Sequence, residues 1–360
     1  MNNADTSGLS GNEQTVLYNL VRHPLLSDQE VCNSIDMKQS TFSTIKKKLR
    51  TEGYFYSSYS PVFNRLGCEL LAVWYVTLNR KTRTEDRLQI SRGRLLAASD
   101  IFTIVSESNQ AIFLSVSKNI GEHVKVTDDL VQLYEENDFL EEIHQVLFPF
   151  DASYIFSCFD FAPLLNRIFE IEPEGSTVDD VDVNSDKVKC KVHYPELNDL
   201  EKRVYLGLVK YPELSDSSLS DRIGCSRPVF TRVKNRFIEE HLVERRRIVS
   251  LQKLRFKMLA LTHSKFNPLI PLSGREKCVK HTRTVQTPIF NIARNPESMM
   301  LTAFRDYEEF KRLHNEFVSY CQEHNTLRND PFVLLQSIPR IFEVKWLVYE
   351  PLVRKILDGL

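Results

Sequence analysis

Two clusters of cations hold the residue types best suited to chemistry in this chain. In the first, "STFSTIKKKLR" sets Lys46, Lys47 and Lys48 in a row, with Arg50 two residues on. In the second, "RPVFTRVKNRF" spaces Arg227, Arg232, Lys234 and Arg236 along one segment, and "ERRRIVS" adds Arg245, Arg246 and Arg247. At about 100° per residue, Phe42, Ile45 and Leu49 share one side of a helix, and Ser40, Ser43, Thr44 and Lys47 fall opposite. Lys46, Lys48 and Arg50 lie on the flanks. In the second cluster Phe230, Val233 and Phe237 point inward, whereas Thr231, Arg232 and Asn235 point outward. Such a helix suits the major groove of double-stranded DNA, with flanking cations on phosphates and outward groups on base edges. Arg favours guanine and Asn favours adenine. The plainer alternative is a solvated helix with a basic side.

Composition narrows the setting. The chain has 360 residues, 42% hydrophobic and 26% charged, which suits a globular protein of two to four domains. A net charge of −1 is compatible with local basic patches balanced by acid elsewhere. Only 11 glycines are present, and neither a Walker-type nor a dinucleotide-binding loop occurs, so nucleotide-dependent enzymes lose ground. No apolar run approaches the roughly 18 residues of a membrane span. The polar opening "MNNADTSGLSGN" lacks a signal-peptide core, and the expected location is cytoplasmic. Seven singly placed cysteines suit reduced thiols.

Self-comparison shows how the clusters are positioned. With Leu9 over Leu197, a spacing of 188, "LSGNEQTVLYNLVRHPLLSDQEV" lies over "LNDLEKRVYLGLVKYPELSDSSL". The register carries through Phe42/Phe230, Lys46/Lys234, Ala72/Ala260, Asn79/Asn267, Phe102/Phe290, Ile104/Ile292 and Pro163/Pro351, and marks a tandem duplication. Each copy opens with three helical patterns. Ser27 and Glu30 make a capping box for the second, and Gly53 stops the third, a basic helix from about Gln39 to Thr51. Two helices joined by a tight turn form a helix-turn-helix, and "YFYSSYSPVF" follows as a wing. The segments "CELLAVWYVTL", "RTEDRLQISRGRLLAAS", "IFTIVSES", "QAIFLSVS", a helix from Glu122 to Glu142 and "ASYIFSCFDF" then give the order βαββαβ. The second copy follows with "FKMLALTHSKF", "PIFNIA", "SMMLTAF", a helix near Tyr307 to His324, and "RIFEVKWLVY". The expected fold is α+β: winged helix-turn-helix domains at 1–64 and 193–252, and ferredoxin-like βαββαβ domains at 65–169 and 253–360, arranged as a pseudo-dimer. An acidic linker, 170–192, joins the copies; Glu170 to Asp186 holds seven acids and no base.

This order of elements, with "LSGNEQTVLYNLVRHPLLSDQEV", "KKLRTEGYF" and "RLGCELLAVWYVTL" in the first copy, resembles the leucine-responsive regulatory protein/AsnC (Lrp/AsnC) family of transcription regulators. The second copy carries the resemblance in "LNDLEKRVYLGLV", "RVKNRFIEEHLV" and "KLRFKMLALTHSKF". The resemblance implies sequence-specific DNA binding through two unlike reading heads on one chain, with Arg245 to Arg247 as phosphate clamps on a wing. It implies pairing of the βαββαβ sheets within the chain, and further assembly into larger homo-oligomers. Family members bind a small effector beside a glycine-containing turn. Here the turns "SESNQ" and "RNPES" lack glycine, so an effector of unknown identity is left open.

The expectation is therefore a regulator rather than an enzyme, with no cofactor and no metal. "CKVH" (Cys190, His193) and "CVKH" (Cys278, His281) match zinc-ligand spacing. One falls in the linker and the other has no counterpart in the first copy, so chance explains them. The alternative is an enzyme, because siroheme decarboxylases share this architecture. Such an enzyme needs His or Arg around a tetrapyrrole, and the candidates are His263, His281, Arg283 and Arg294. Tyr75 aligns with His263, so that site would belong to one copy alone.

Overall fold

The computed structural model describes residues 8–171, 190–271 and 275–359. The expected acidic linker lies almost wholly outside them, so nothing structural is said of it. The helix-turn-helix of the first copy comprises α1 (Gly11–Arg22), α2 (Asp28–Ser34) and α3 (Gln39–Thr51). The Ser27 hydroxyl accepts from the Glu30 amide at 3.3 Å, and the Glu30 carboxylate accepts from the Ser27 amide at 2.7 Å. The Ser27 and Glu30 amides, two of the groups left unpaired at the start of α2, are thereby satisfied. Ser10 and Glu13 form the same box on α1. Gly53, at φ +76°, ends the third helix in a conformation that disfavours side chains with a Cβ. Phe42 and Leu49 are fully buried, as their helical phase requires. The second copy repeats the motif with α7 (Asp199–Lys210), α8 (Asp216–Ile223) and α9 (Arg227–Glu239), burying Phe230, Val233 and Phe237.

The first ferredoxin-like sheet is built from β2 (Leu70–Leu78), α4 (Thr84–Ala97), β3 (Ile101–Glu107), β4 (Gln110–Ser117), α5 (Ile120–Glu136) and β5 (Leu140–Pro149). The second uses β8 (Met258–Lys265), α10 (Glu276–Val285), β9 (Phe290–Arg294), β10 (Glu297–Phe304), α11 (Tyr307–Glu323) and β11 (Phe332–Ser337). The fold class is as expected: α+β, with two helix-turn-helix motifs and two ferredoxin-like sheets. Two details differ. The helix expected to reach Glu142 stops at Glu136, and β5 begins at Leu140. The segments expected to close each βαββαβ unit, β6 (Ser153–Cys158) and β12 (Phe342–Lys345), are instead fifth strands, and each adds to the other copy's sheet. The strand orders are β12-β3-β4-β2-β5 and β11-β8-β10-β9-β6.

Contacts divide the chain into two units of mixed origin. One comprises Met1–Ser58, Ile155–Val188 and Arg245–Pro339; the other comprises Tyr59–Tyr154, Lys189–Glu244 and Arg340–Leu360. Each therefore joins the helix-turn-helix of one copy to the sheet of the other. In the first unit α6 (Ala162–Phe169) packs on α1, and in the second α12 (Glu350–Asp358) packs on α7. The expected wings also differ from free hairpins, because β1 (Phe55–Pro61) and β7 (Val243–Val249) pair with each other.

The repeat register slips by one inside the sheets. Val105 faces Ile112 across the first hairpin, and Ile292 faces Met299 across the second, so Ile292 stands where Val105 does, 187 residues on. The pairs Phe102/Phe290 and Ile104/Ile292 are thus not structural equivalents. A β-bulge between Ile101 and Thr103 lies where the two copies part. The helix caps Asn119 and Asp306 keep the spacing of 187, and Pro163 and Pro351, each in a helix first turn, return to 188.

Candidate functional site

The second sheet carries a compact polar cluster. β8 places His263 near the open end of the sheet, beside the start of β10 and the end of β9. His263 Nε2 lies 2.9 Å from Glu297 Oε2, and the Arg294 guanidinium donates to Glu297 Oε1. His263 is buried, whereas Glu297 and Arg294 are half-buried. The His263 hydrogen bond, then Arg294, outweigh burial and hold the Glu297 carboxyl below its usual range. Glu297 therefore stays a carboxylate that orients the imidazole, while Arg294 fixes the carboxylate. A histidine oriented by a carboxylate in this way has the geometry of a proton donor or acceptor.

The first sheet lacks the cluster. Tyr75 stands where His263 does, and its ring stacks on His144, with centroids 4.8 Å apart. Gln110 and Glu107 occupy the places of Glu297 and Arg294. The site is confined to one copy. Of the four candidates, His263 and Arg294 come together and the other two do not. Ser264, next to His263, turns toward α10 and α11, so strand alternation puts His263 on the opposite face. His281 and Arg283 belong to α10. The His281 ring stacks on Tyr320 at 3.9 Å and 8°. Burial pushes the proton affinity of Arg283 down, with Asp160 opposing it.

On the basic helices, Lys46, Lys48, Lys234 and Arg236 are paired with carboxylates within the protein. Lys46 Nζ meets Asp28 at 2.6 Å and Lys48 Nζ meets Glu13 at 2.6 Å. In the second copy Lys234 pairs with Asp216, and Arg236 meets Glu201 at 2.8 Å. The pairs repeat between copies, tying the third helix of each motif to its first and second. Ser40, Ser43, Thr44, Lys47 and Arg50 are exposed, as are Arg227, Arg232 and Asn235; Thr231 is half-buried. Arg245 and Arg246 are half-buried on β7. Arg247 is buried and donates to the Leu20 carbonyl, so it does not form part of an exposed clamp.

Sequence reasoning missed one repeated pair. Arg87 and Arg275 stand 188 apart, and both are buried. Arg87 donates to the Asn79 and Thr82 carbonyls at 2.9 and 2.8 Å, and also to the Ser108 carbonyl. Arg275 reaches the equivalent Ile270 carbonyl at 2.6 Å, and Asn295 Oδ1 at 2.7 Å. Each guanidinium ties the loop after a sheet's first strand to the turn of its middle hairpin. The identical residue type at one spacing was the available signal.

No family model matches the chain, and no curated protein matches its sequence. Solved structures do match. The structure of siroheme decarboxylase NirDL is similar over 97% of this chain and 98% of that one, with a TM-score of 0.54 and 10% identity. A second structure of NirDL, in complex with an iron-uroporphyrin III analogue, agrees over 97% and 99%, with the same score and identity. An AsnC family transcriptional regulator from Agrobacterium tumefaciens matches over 39% of this chain and 89% of its own, at TM-score 0.33 and 10% identity. Among the described residues, no helix is long and apolar enough to cross a membrane. The expectation that the chain is not an enzyme is overturned, because the architecture it matches from end to end is that of an enzyme. What is shared is the fold.

Proposed function

We propose that the chain is a tetrapyrrole-modifying enzyme of the siroheme decarboxylase type. The observation that carries this reading is the full-length fold match, which includes both copies. Two features of the chain support it. The His263–Glu297–Arg294 cluster occurs in one sheet alone, as a site for a single substrate per chain would. Four of the basic-helix cations are engaged in internal ion pairs, which leaves fewer for phosphates. Loss of carbon dioxide from a carboxylate side chain leaves an electron pair on carbon, and that carbon takes up one proton. Protonated His263 would supply it, with Glu297 stabilising the imidazolium and Arg294 at hand for a substrate carboxylate. Titration of the purified protein with siroheme, followed by absorbance, tests binding. Mass analysis of the pigment for loss of carbon dioxide tests chemistry. His263→Gln should retain the absorbance change and lose at least tenfold in rate. Absence of any spectral change with siroheme would refute the reading.

A second reading, DNA contact, is supported by the outward faces Ser40, Ser43, Thr44 and Lys47 and Thr231, Arg232 and Asn235. Of these only Thr231 falls short of full exposure. Fluorescence anisotropy with duplex DNA across a salt series tests it. The expected salt slope is shallow, because Lys46, Lys48, Lys234 and Arg236 must break an ion pair before meeting a phosphate.

A further inference from the structure

Two thiols meet between α10 and α11. Cys278 is 4% exposed and Cys321 is fully buried. They share a small core cluster with Phe317 and Leu327, and their side chains are hydrogen-bonded to each other. Thr326 holds the pair from one side. Its hydroxyl oxygen lies 3.3 Å from Cys278 Sγ, and its amide and hydroxyl each donate to the Cys321 carbonyl at 2.9 Å. Cys278 opens the "CVKH" motif, yet the His281 ring is taken up by Tyr320 and the thiol meets another thiol. Among the described residues, no three His, Cys, Asp or Glu side chains are grouped to hold a metal ion.

The two sulfurs are unlike. The Cys321 hydrogen bond outweighs burial and, with Thr326 and His324, brings Cys278 down to about 6. The same bond and burial push Cys321 up. Cys278 is thus the nucleophile of the pair, and Cys321 the thiol waiting beside it. Both line a cavity of about 30 Å³, which at about 10–15 Å³ per water admits a molecule of two heavy atoms. The first copy serves as a comparison. Ser91 and Tyr134 stand 187 residues before the two cysteines, the spacing of the α5 and α11 caps, and are also hydrogen-bonded to each other. A pair of hydroxyls therefore suffices to join α4 to α5, and packing alone does not call for two thiols.

We infer that Cys278 and Cys321 form a peroxide-sensitive modification site, which closes to a disulfide tying α10 to α11. The Cys278 thiolate attacks one oxygen of hydrogen peroxide and the O–O bond breaks. Cys278 becomes a sulfenic acid, and the departing hydroxide takes up the proton that Cys278 released, giving water. Cys321 then loses its proton and attacks the Cys278 sulfur. The S–O bond breaks, and hydroxide leaves with that proton as a second water. Each sulfur gives up one electron, and the peroxide takes two. This site is independent of the decarboxylase reading, since His263 lies on the other face of the sheet.

The test treats the full chain with hydrogen peroxide, blocks remaining thiols with iodoacetamide, and maps tryptic peptides without reduction. Peptides Cys278–Lys280 and Leu313–Arg328 should appear joined, two hydrogens lighter than their sum, and should separate with dithiothreitol. Cys321→Ser should leave a sulfenic acid on Cys278 that dimedone traps. Cys278→Ser should slow oxidation of Cys321 at least tenfold. Both cysteines staying reduced, oxidation of another cysteine ahead of them, or an equal yield of the link in urea-unfolded chain would each overturn the inference. The first and third of these need no variant to fold.

Discussion

Lys345 gives the sharpest test of the exchanged strand. It is 2% exposed, sits on β12, and donates to the carbonyls of Ala98 and Ile101 at 2.7 and 3.1 Å. Burial pushes the ammonium down to about 8 from 10.5, with Asp100 pulling it back up. Between those values the unfolded chain binds more protons than the folded one, so stability rises as pH rises through that window. Below about 8 both states are protonated, and the slope from this group vanishes. At about 1.4 kcal/mol per tenfold, the full gap corresponds to roughly 3 kcal/mol. Two carbonyl acceptors favour the charged form, so we expect about 1–2 kcal/mol. Lys345→Met fits the same space and removes the proton. Urea unfolding of both proteins at pH 7, 8, 9 and 10 isolates the contribution of this side chain as the difference between their slopes. Parallel pH profiles from 8 to 10 would refute both the burial of Lys345 and the role assigned to it.

Four further outcomes follow from the structure. Glu13→Gln removes the carboxylate that caps α1 and holds Lys48, and should cost about 1–2 kcal/mol at pH 7. Lys48 first, with burial opposing, lowers the Glu13 carboxyl below 4.5, so this cost should shrink as pH falls below that value, as chemical denaturation at pH 3 would show. Arg247→Met leaves the Leu20 carbonyl without its donor inside the fold, and should cost about 2–4 kcal/mol in urea. Arg232→Ala, on an exposed face, should change stability by under about 0.5 kcal/mol. Glu343→Pro should strip hydrogen-exchange protection from Ile104 to Ser106, which pair with β12, and spare Ile292 to Arg294 on β9. Loss at β9 instead would contradict the exchange.

The parts of the fold that local chemistry decides were legible in the sequence. The capping box at Ser27, the stop at Gly53 and the buried phase of Phe42 and Leu49 involve residues a few positions apart, and each appears as read. The duplication was legible because a fixed spacing survives where the cores are equivalent. Non-local pairing was not. The alternation in "ASYIFSCFDF" and "RIFEVKWLVY" announces strands, but a strand's own pattern does not name the sheet it joins. β5 was hidden because its first half, Leu140 to Gln145, lies largely toward solvent and reads as a continuation of the acidic helix. The ion pairs on the basic helices were hidden because their partners are far apart in sequence. Asp28 and Lys46 are 18 residues apart, and only the packed motif brings them within reach.

The two copies have kept their scaffold and diverged at their sites. Arg87 and Arg275 do one job in the same place, as do Asn79 and Asn267, whose side-chain oxygens accept from the amides of Lys81 and Leu269. Around these fixed points, His263 replaces Tyr75, Glu297 replaces Gln110, and Asn291 replaces Ile104. Strand exchange makes such divergence tolerable. Each sheet takes its fifth strand from the other copy, so separating the two halves would leave β3 and β9 as unpaired edges. One copy can then change its buried polar groups without the chain losing the partner that completes its sheets. The proposed chemistry is assigned to the second sheet because of this asymmetry: the His263–Glu297–Arg294 cluster has no counterpart in the first.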